Sequence, residues 1–98
     1  MTFEIRWTSE AETSFREIVA YLEAEWTEKE ARKFIRRART LFSQIAKFPF
    51  MCEASNTNKK VRRGFVTKQC SLFYEINDDV IVLLYFWDNR ANPDQRAH

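Results

Sequence analysis

The residues best suited to chemistry lie in the segment KKVRRGF, which begins at Lys59. On a β-strand, Lys60 and Arg62 would share one face, while Lys59, Val61 and Arg63 would share the other. Ammonium and guanidinium groups neutralise phosphates and carboxylates, and arginine can bind either group through paired hydrogen bonds. The segment therefore predicts a site for a phosphodiester or for a partner that carries carboxylates.

Three further side chains are expected near one end of the same sheet. Tyr74 lies on the next predicted strand, and Asp88 and Arg90 follow the last one. If the strands pair as successive hairpins, these groups and the basic residues of KKVRRGF form a basic concave patch. Other roles are open: Tyr74 lies in an apolar alternating face, as core residues do, either arginine could pair with a nearby carboxylate, and Asp88 with Asn89 could form a turn.

A second basic surface is expected on the outer face of the second predicted helix. Lys29, Arg32, Lys33 and Arg36 recur there at spacings of three and four residues, which makes them neighbours on a helix. Such a face is either a solvated surface or a binding surface for a target or partner, through Arg32 and Arg36 in particular.

Other reaction chemistries lack the residues that they need. Gly64 is the sole glycine, which excludes a glycine-rich phosphate-binding loop. The sole histidine is His98, so a histidine-based triad or zinc site is not expected. Cys52 and Cys70 are not spaced as a metal-binding or redox pair. We therefore expect no metal and no cofactor.

The charge is unevenly distributed along the chain. Residues 1–30 hold eight acidic and three basic side chains. Residues 31–68 hold one acidic and eleven basic side chains, and residues 69–98 hold five acidic and two basic ones. The three parts carry −5, +10 and −3, which gives the net charge of +2. A basic central block between acidic ends indicates either an anionic partner or charge compensation across the fold.

Composition predicts one folded domain over residues 1–98, since 45% of the residues are hydrophobic and nine are Phe. One Gly and two Pro argue against linkers and low complexity. Met1 leads into an alternating stretch rather than a signal peptide. The longest apolar run, Val80 to Trp87, is too short to span a bilayer. We therefore expect a cytoplasmic protein with no membrane segment.

The first half of the chain predicts a short strand and two helices. Phe3, Ile5 and Trp7 alternate with polar residues, as in a half-buried strand. Capping boxes at Ser9 to Glu12, with Ser9 as N-cap, and at Thr27 to Glu30 then start two amphipathic helices. The short joint between them predicts an antiparallel hairpin. The apolar stripe of the first helix is Ala11, Phe15, Ile18, Val19, Leu22 and Trp26.

The second half predicts three strands. They are Val61 to Thr67, Gln69 to Ile76 and Val80 to Trp87, with a hairpin turn at Asn77 to Asp79. The last strand has no polar alternation, which predicts an inner strand covered on both faces. The order β-α-α-β-β-β gives an α+β fold with the helical hairpin packed on a mainly antiparallel four-stranded sheet.

This order of elements resembles the RelE/ParE superfamily, the toxins of type II toxin–antitoxin modules. The resemblance covers Phe3 to Pro93 and rests on the order and spacing of several loose motifs. They are SEAETSFREIVAYL, FP after the second helix, VRR and FYEI on successive strands, and the terminal DNRANP. Arg90 in the last motif is similar to an arginine that many family members carry after the last strand.

The resemblance implies two activities. RelE-like members are metal-independent ribonucleases that cut messenger RNA on the ribosome, and ParE-like members poison DNA gyrase. If this chain is a ribonuclease, its catalytic residues would be Lys59, Lys60, Arg62, Arg63 and Arg90. As a toxin without catalysis, it would bind its target or partner through Arg62, Arg63, Tyr74, Asp88, Arg90, Arg32 and Arg36.

One departure from the family bears on this choice. Ribonuclease members commonly carry a Tyr or His just beyond the last strand, and residues 91–97 hold neither. The ParE-like activity is therefore favoured, with plasmid stabilisation and growth inhibition as its expected roles. An inactive toxin-fold protein that only binds a partner remains the third possibility. The implied partners are a cognate antitoxin, in a homo- or hetero-oligomer, and either DNA gyrase or the ribosome with its messenger RNA.

Overall fold

The structure is a computed structural model, and it describes residues 2–89. The elements follow the predicted order β-α-α-β-β-β, with one additional short strand of two residues before the last three. This extra strand makes a sheet of five strands where four were expected, and the predicted fold class is confirmed. The elements are β1 (Glu4–Trp7), α1 (Ser9–Glu25), α2 (Glu28–Lys47), β2 (Glu53–Ala54), β3 (Val61–Thr67), β4 (Cys70–Asn77) and β5 (Val80–Asp88).

The sheet has the strand order β1-β5-β4-β3-β2. β1 runs parallel to β5, and the other three pairings are antiparallel. The inner position predicted for β5 is confirmed, because it lies between β1 and β4. The β4–β5 turn is a two-residue loop between Asn77 and Val80, in which Asp78 has φ 54°, a left-handed conformation that Asp tolerates better than most residues.

Both helices begin at a threonine N-cap. Thr27 caps α2 as predicted, since its hydroxyl accepts a hydrogen bond from the Glu30 amide at 3.1 Å. For α1 the prediction of Ser9 was wrong: Ser9 is already helical, and the hydroxyl of Thr8 accepts from the Ala11 amide at 3.0 Å. The same Thr8 hydroxyl contacts β5, so a tertiary interaction fixes which of the two neighbouring residues becomes the cap.

The main core lies between the helices and one face of the sheet. Aromatic rings from different elements meet there: Phe86 of β5 lies 5.0 Å from Phe15 of α1 and 5.7 Å from Trp7 of β1, centroid to centroid. Trp26 was predicted to complete the α1 stripe, but it is the C-cap residue and is 59% exposed. Because Trp26 follows the last helical turn, the helical periodicity no longer directs its side chain to the core.

A smaller apolar cluster covers the opposite sheet face, called here the second face. Val61, Phe73 and Tyr85 are buried in it, and the rings of Phe73 and Tyr85 lie 4.8 Å apart. None of its described members comes from a helix.

Neither helix within residues 2–89 combines the length and the apolar character that a membrane span requires.

A β-bulge in β5 divides that strand into two halves. Tyr74 pairs with Leu83 and Phe73 with Tyr85, so Leu84 is the extra residue. Side chains alternate along a strand, and one extra residue therefore reverses which face each later side chain takes. Leu83 and Phe86 consequently both lie in the main core, while Tyr85 lies on the second face.

Two hydroxyls from the start of α1 hold the bulge. Thr8 Oγ1 lies 2.9 Å from the Leu83 carbonyl oxygen and 2.8 Å from that of Leu84. Ser14 Oγ accepts a hydrogen bond from the Phe86 amide at 2.9 Å. β1 ends at Trp7, opposite Leu83, so these side chains bind backbone groups of β5 at and just beyond the last residue that β1 pairs.

We expect Thr8→Ala to destabilise the fold more than Thr27→Ala does. Losing an N-cap costs about 1 kcal/mol. Thr8→Ala also removes the hydroxyl donor from the part-buried Leu84 carbonyl, for a total of about 2–3 kcal/mol, while the Leu83 carbonyl keeps the backbone amide of residue 8. Urea unfolding followed by circular dichroism measures both variants. Equal losses from the two variants would show that Thr8 acts as a cap alone.

Candidate functional site on the second face

Arg63 is the centre of a hydrogen-bonded group on the second face. Its Nε donates to Ser71 Oγ at 2.8 Å, and its Nη2 donates to Asn89 Oδ1 at 2.9 Å. Ser71 Oγ in turn lies 3.0 Å from Asn89 Oδ1, and Ser71 is fully buried. The backbone N–H of Asn89 donates to the Gln69 carbonyl at 2.7 Å, and this bond anchors the residue that follows β5.

Aromatic rings flank the guanidinium of Arg63. Its central carbon lies 4.9 Å from the ring centroid of Phe65 and 5.7 Å from that of Phe73, within the range of cation–π attraction. Within residues 2–89 no carboxylate forms an ion pair with Arg63. Arg63 is therefore a fixed, half-buried positive charge whose described partners are neutral, and it retains donors for an anionic ligand.

Arg62 lies on the face towards the helices and has a different environment. Its Nη1 donates to the Phe50 carbonyl at 3.2 Å and to the Cys52 carbonyl, and its guanidinium lies 4.9 Å from the Phe50 ring centroid. These contacts hold the segment after α2 against β3. Because its Nη1 binds two backbone carbonyls of that segment, Arg62 has a structural role in this conformation.

Tyr74 also lies on the helix side, fully buried in the main core. Its hydroxyl donates to the Pro49 carbonyl at 2.8 Å. Burial is the main reason that the pKa of Tyr74 lies far above its ordinary value of 10.0. The group therefore stays protonated and out of contact with solvent, so the core role left open for it in the sequence accounts for its position.

Asp88 ends β5 on the helix side, at the rim of a pocket of about 310 Å³. The pocket lies between α1, the first half of α2 and the β3–β4 turn. Apolar residues such as Ile18 and Phe34 line it together with charged residues such as Lys33 and Asp88. Asp88 is thus on the opposite side of the sheet from Arg63.

The remaining predicted residues are separate from this group. Lys59 and Lys60 are exposed in the turn before β3, and Arg32 and Arg36 are exposed on α2. Arg90 lies outside the described residues. The expected single patch is therefore divided: Arg62 and Tyr74 lie with Asp88 on the helix side, and Arg63 alone of the predicted set lies on the second face, with Ser71, Asn89 and Phe65.

Sequence reasoning missed Ser71, Asn89 and Phe65 as parts of a site. The alternating pattern of β4 in the sequence does place Ser71 and Phe73 on one face of the strand. It could have put Ser71 on the same side of the sheet as Arg63. The position of Asn89 had no comparable signal, because it depends on the bulge at Leu84. A bulge inside a wholly apolar run leaves the hydrophobic pattern unchanged.

Solved toxin–antitoxin structures share this fold. The chromosomal ParDE system of P. aeruginosa matches with a TM-score of 0.71 at 13% identity, covering 89% of this chain and 96% of that chain. The E. coli DinJ-YafQ complex matches with 0.65 at 10% identity, covering 94% and 98%. RelBE2 of Mycobacterium tuberculosis matches with 0.61 at 13% identity, covering 90% and 99%. At these identities the likeness concerns the fold.

The fold and the sequence together place this chain among the toxins of the RelE/ParE superfamily. The family model for the ParE toxin of the type II toxin–antitoxin system parDE matches residues 5–93. The chain belongs to that family, which confirms the resemblance inferred from its motifs. No curated protein matches the sequence.

The buried hydroxyl of Tyr74 gives a prediction about alkaline pH. Above pH 10 the unfolded chain loses this proton while the folded state keeps it, since the folded pKa is raised from 10.0. The free energy of unfolding should therefore fall as pH rises, by at most about 1.4 kcal/mol per pH unit from this group. Urea unfolding at a series of pH values should show a smaller slope for Tyr74→Phe.

Tyr21→Phe is the matched control, because Tyr21 is 46% exposed on α1. It should keep the wild-type dependence on pH. If the wild type and Tyr74→Phe lose stability in parallel above pH 10, the buried hydroxyl does not contribute.

Proposed function

We propose that this toxin inhibits growth by binding DNA gyrase, as ParE-like members of the superfamily do. The observation that carries the proposal is the environment of Arg63: a charge held by Ser71 and Asn89 among packed aromatic rings, with no accessible acid–base group beside it in residues 2–89. Tyr74 is fully buried and Tyr85 is 2% exposed. The match to the ParE toxin family model supports the same activity.

Metal-independent RNA cleavage needs groups that move protons as well as groups that neutralise charge. One must activate the 2′-hydroxyl and another must protonate the leaving oxygen, and together they contribute roughly 10²–10⁴-fold in rate. Residues 2–89 contain no histidine, and the two tyrosines on β4 and β5 are buried. The second face therefore suits binding through charge better than catalysis.

A ribonuclease is the second candidate, favoured by one feature of the second face. Phe65 is 56% exposed and lies beside Arg63. An exposed ring next to a fixed guanidinium can stack a base while the guanidinium binds the neighbouring phosphate. Lys59 and Lys60 precede the same strand and would supply further positive charge.

We also propose an antitoxin as the partner of this chain in the cytoplasm. The solved relatives named above are toxin–antitoxin systems by title. In this chain Phe48, Phe50 and Met51 are 67%, 64% and 52% exposed, next to one another after α2. Exposed apolar clusters of this kind indicate a protein interface, and nearby Lys59 and Lys60 suit an acidic segment.

Purified toxin should inhibit supercoiling by DNA gyrase, increase cleaved DNA and leave ribosome-bound messenger RNA intact. Arg63→Gln should weaken this inhibition at least about tenfold, as the loss of a central charged contact does at interfaces. Arg16→Gln, on the exposed face of α1, is the matched control and should keep it. Thermal melting of both variants separates a loss of binding from a loss of folding.

Cleavage of messenger RNA on the ribosome that depends on Arg63, with gyrase unaffected, would replace this proposal by the ribonuclease. Full gyrase inhibition by a folded Arg63→Gln variant would show that the second face does not contact gyrase, although gyrase would still be the target.

For the antitoxin, Phe48→Ser with Met51→Ser should speed dissociation of the complex, because these changes remove apolar contact. Lys59→Gln with Lys60→Gln should mainly slow association, because exposed charges steer encounter. Surface plasmon resonance with immobilised antitoxin measures both rates. Unchanged dissociation in the first variant would place the antitoxin elsewhere on the toxin.

A further inference from the structure

The outer face of α2 is a continuous basic surface. With 3.6 residues per turn, its basic side chains fall within an arc of about 160°, opposite the buried stripe of the helix. The first and last of them are 18 positions apart, or about 27 Å at a rise of 1.5 Å per residue. All are exposed, and we call them the α2 basic face: Lys29, Arg32, Lys33, Arg36, Arg37, Arg39 and Lys47.

Close ion pairs compensate little of this charge within the described part of the fold. The one ion pair on the α2 basic face joins Arg32 Nη1 to Glu28 Oε2 at 3.8 Å, and its two side chains are 62% and 76% exposed. Such a pair contributes little to stability. Residues 2–89 therefore hold few close pairs between the basic block and the acidic parts of the chain, and of the two explanations for the uneven charge we favour an anionic partner.

The chemistry of the face indicates which kind of anion it binds. Between Glu28 and Lys47, no large apolar side chain is exposed. Protein interfaces use buried aromatic or aliphatic anchors, and helices that lie on membranes use exposed apolar residues. A face of charged and polar side chains without an apolar anchor is suited to a partner that presents a regular row of charges, as the phosphodiester backbone does.

Arginine accounts for four of the seven basic residues, and its planar group binds phosphate through paired hydrogen bonds. We propose that the α2 basic face binds the phosphodiester backbone of a nucleic acid. This surface lies on the helix side of the sheet, away from Arg63. The inference therefore holds whichever enzyme the toxin inhibits.

The full-length toxin can be tested with a labelled DNA duplex of mixed sequence and about 30 base pairs, roughly three helical turns. Binding should weaken linearly on a plot of log affinity against log salt concentration. Replacing Arg36 and Arg39 by Gln should reduce the magnitude of that slope by up to about 2, since each phosphate contact contributes about 0.9. Glutamine preserves helix propensity, so α2 should remain folded.

The matched control replaces Arg6 and Arg16 by Gln, which removes the same charge from exposed positions outside α2. It should keep the wild-type slope. Equal effects of the two double variants would overturn the proposal, because net charge alone would then explain binding. Failure of the wild type to bind the duplex or a single-stranded RNA at low salt would also overturn it.

Two further probes distinguish the kinds of partner. A single-stranded RNA of the same length tests whether the backbone belongs to RNA or DNA, and preference for either supports the proposal. Polyglutamate and vesicles with anionic lipids test the other polyanions. Binding of either at least as tightly as the nucleic acids, with the same dependence on Arg36 and Arg39, would assign the face to an acidic protein or a membrane instead.

Discussion

The bulge at Leu84 is the constraint on which the arrangement of this molecule depends. β5 is the inner strand, and it has to supply side chains both to the core under the helices and to the second face. Any strand supplies both faces by alternation, but the extra residue reverses that alternation half-way along β5 and so determines which side chains beyond Leu84 reach each face. Thr8 and Ser14 bind the backbone at the bulge, so the start of α1 and the geometry of β5 stabilise each other.

The bulge also determines which residues can act together. After Leu84, odd-numbered side chains of β5 turn to the second face, and Asn89 therefore reaches Arg63, while Asp88 lies on the helix side at the pocket. With unbroken alternation from Leu83, Asn89 would follow Leu83 to the helix side. The hydrogen-bonded group around Arg63 would then lose the oxygen acceptor that Asn89 supplies just after β5.

The sequence was sufficient to predict the elements because their signals are local. The bounds of β3 follow from Val61 to Thr67 and the turns on either side, and the inner position of β5 follows from its apolar residues on both faces. The signals that failed were tertiary. Thr8 rather than Ser9 caps α1 because Thr8 also binds β5, and the two-residue β2 depends on pairing with Arg62 and Arg63 more than on its own residues.

The two arginines of β3 illustrate why residue type alone could not assign the site. They are adjacent, so the strand turns them to opposite faces. Arg62 meets backbone carbonyls after α2 and holds that segment, whereas Arg63 meets a serine, an amide and aromatic rings that fix its guanidinium without neutralising it. An arginine binds an anion through N–H donors that are not already bonded and through positive charge that no carboxylate neutralises. Within the described part of the chain, Arg63 has both. Arg62 keeps donors as well, but its Nη1 holds the segment after α2 on the helix side of the sheet.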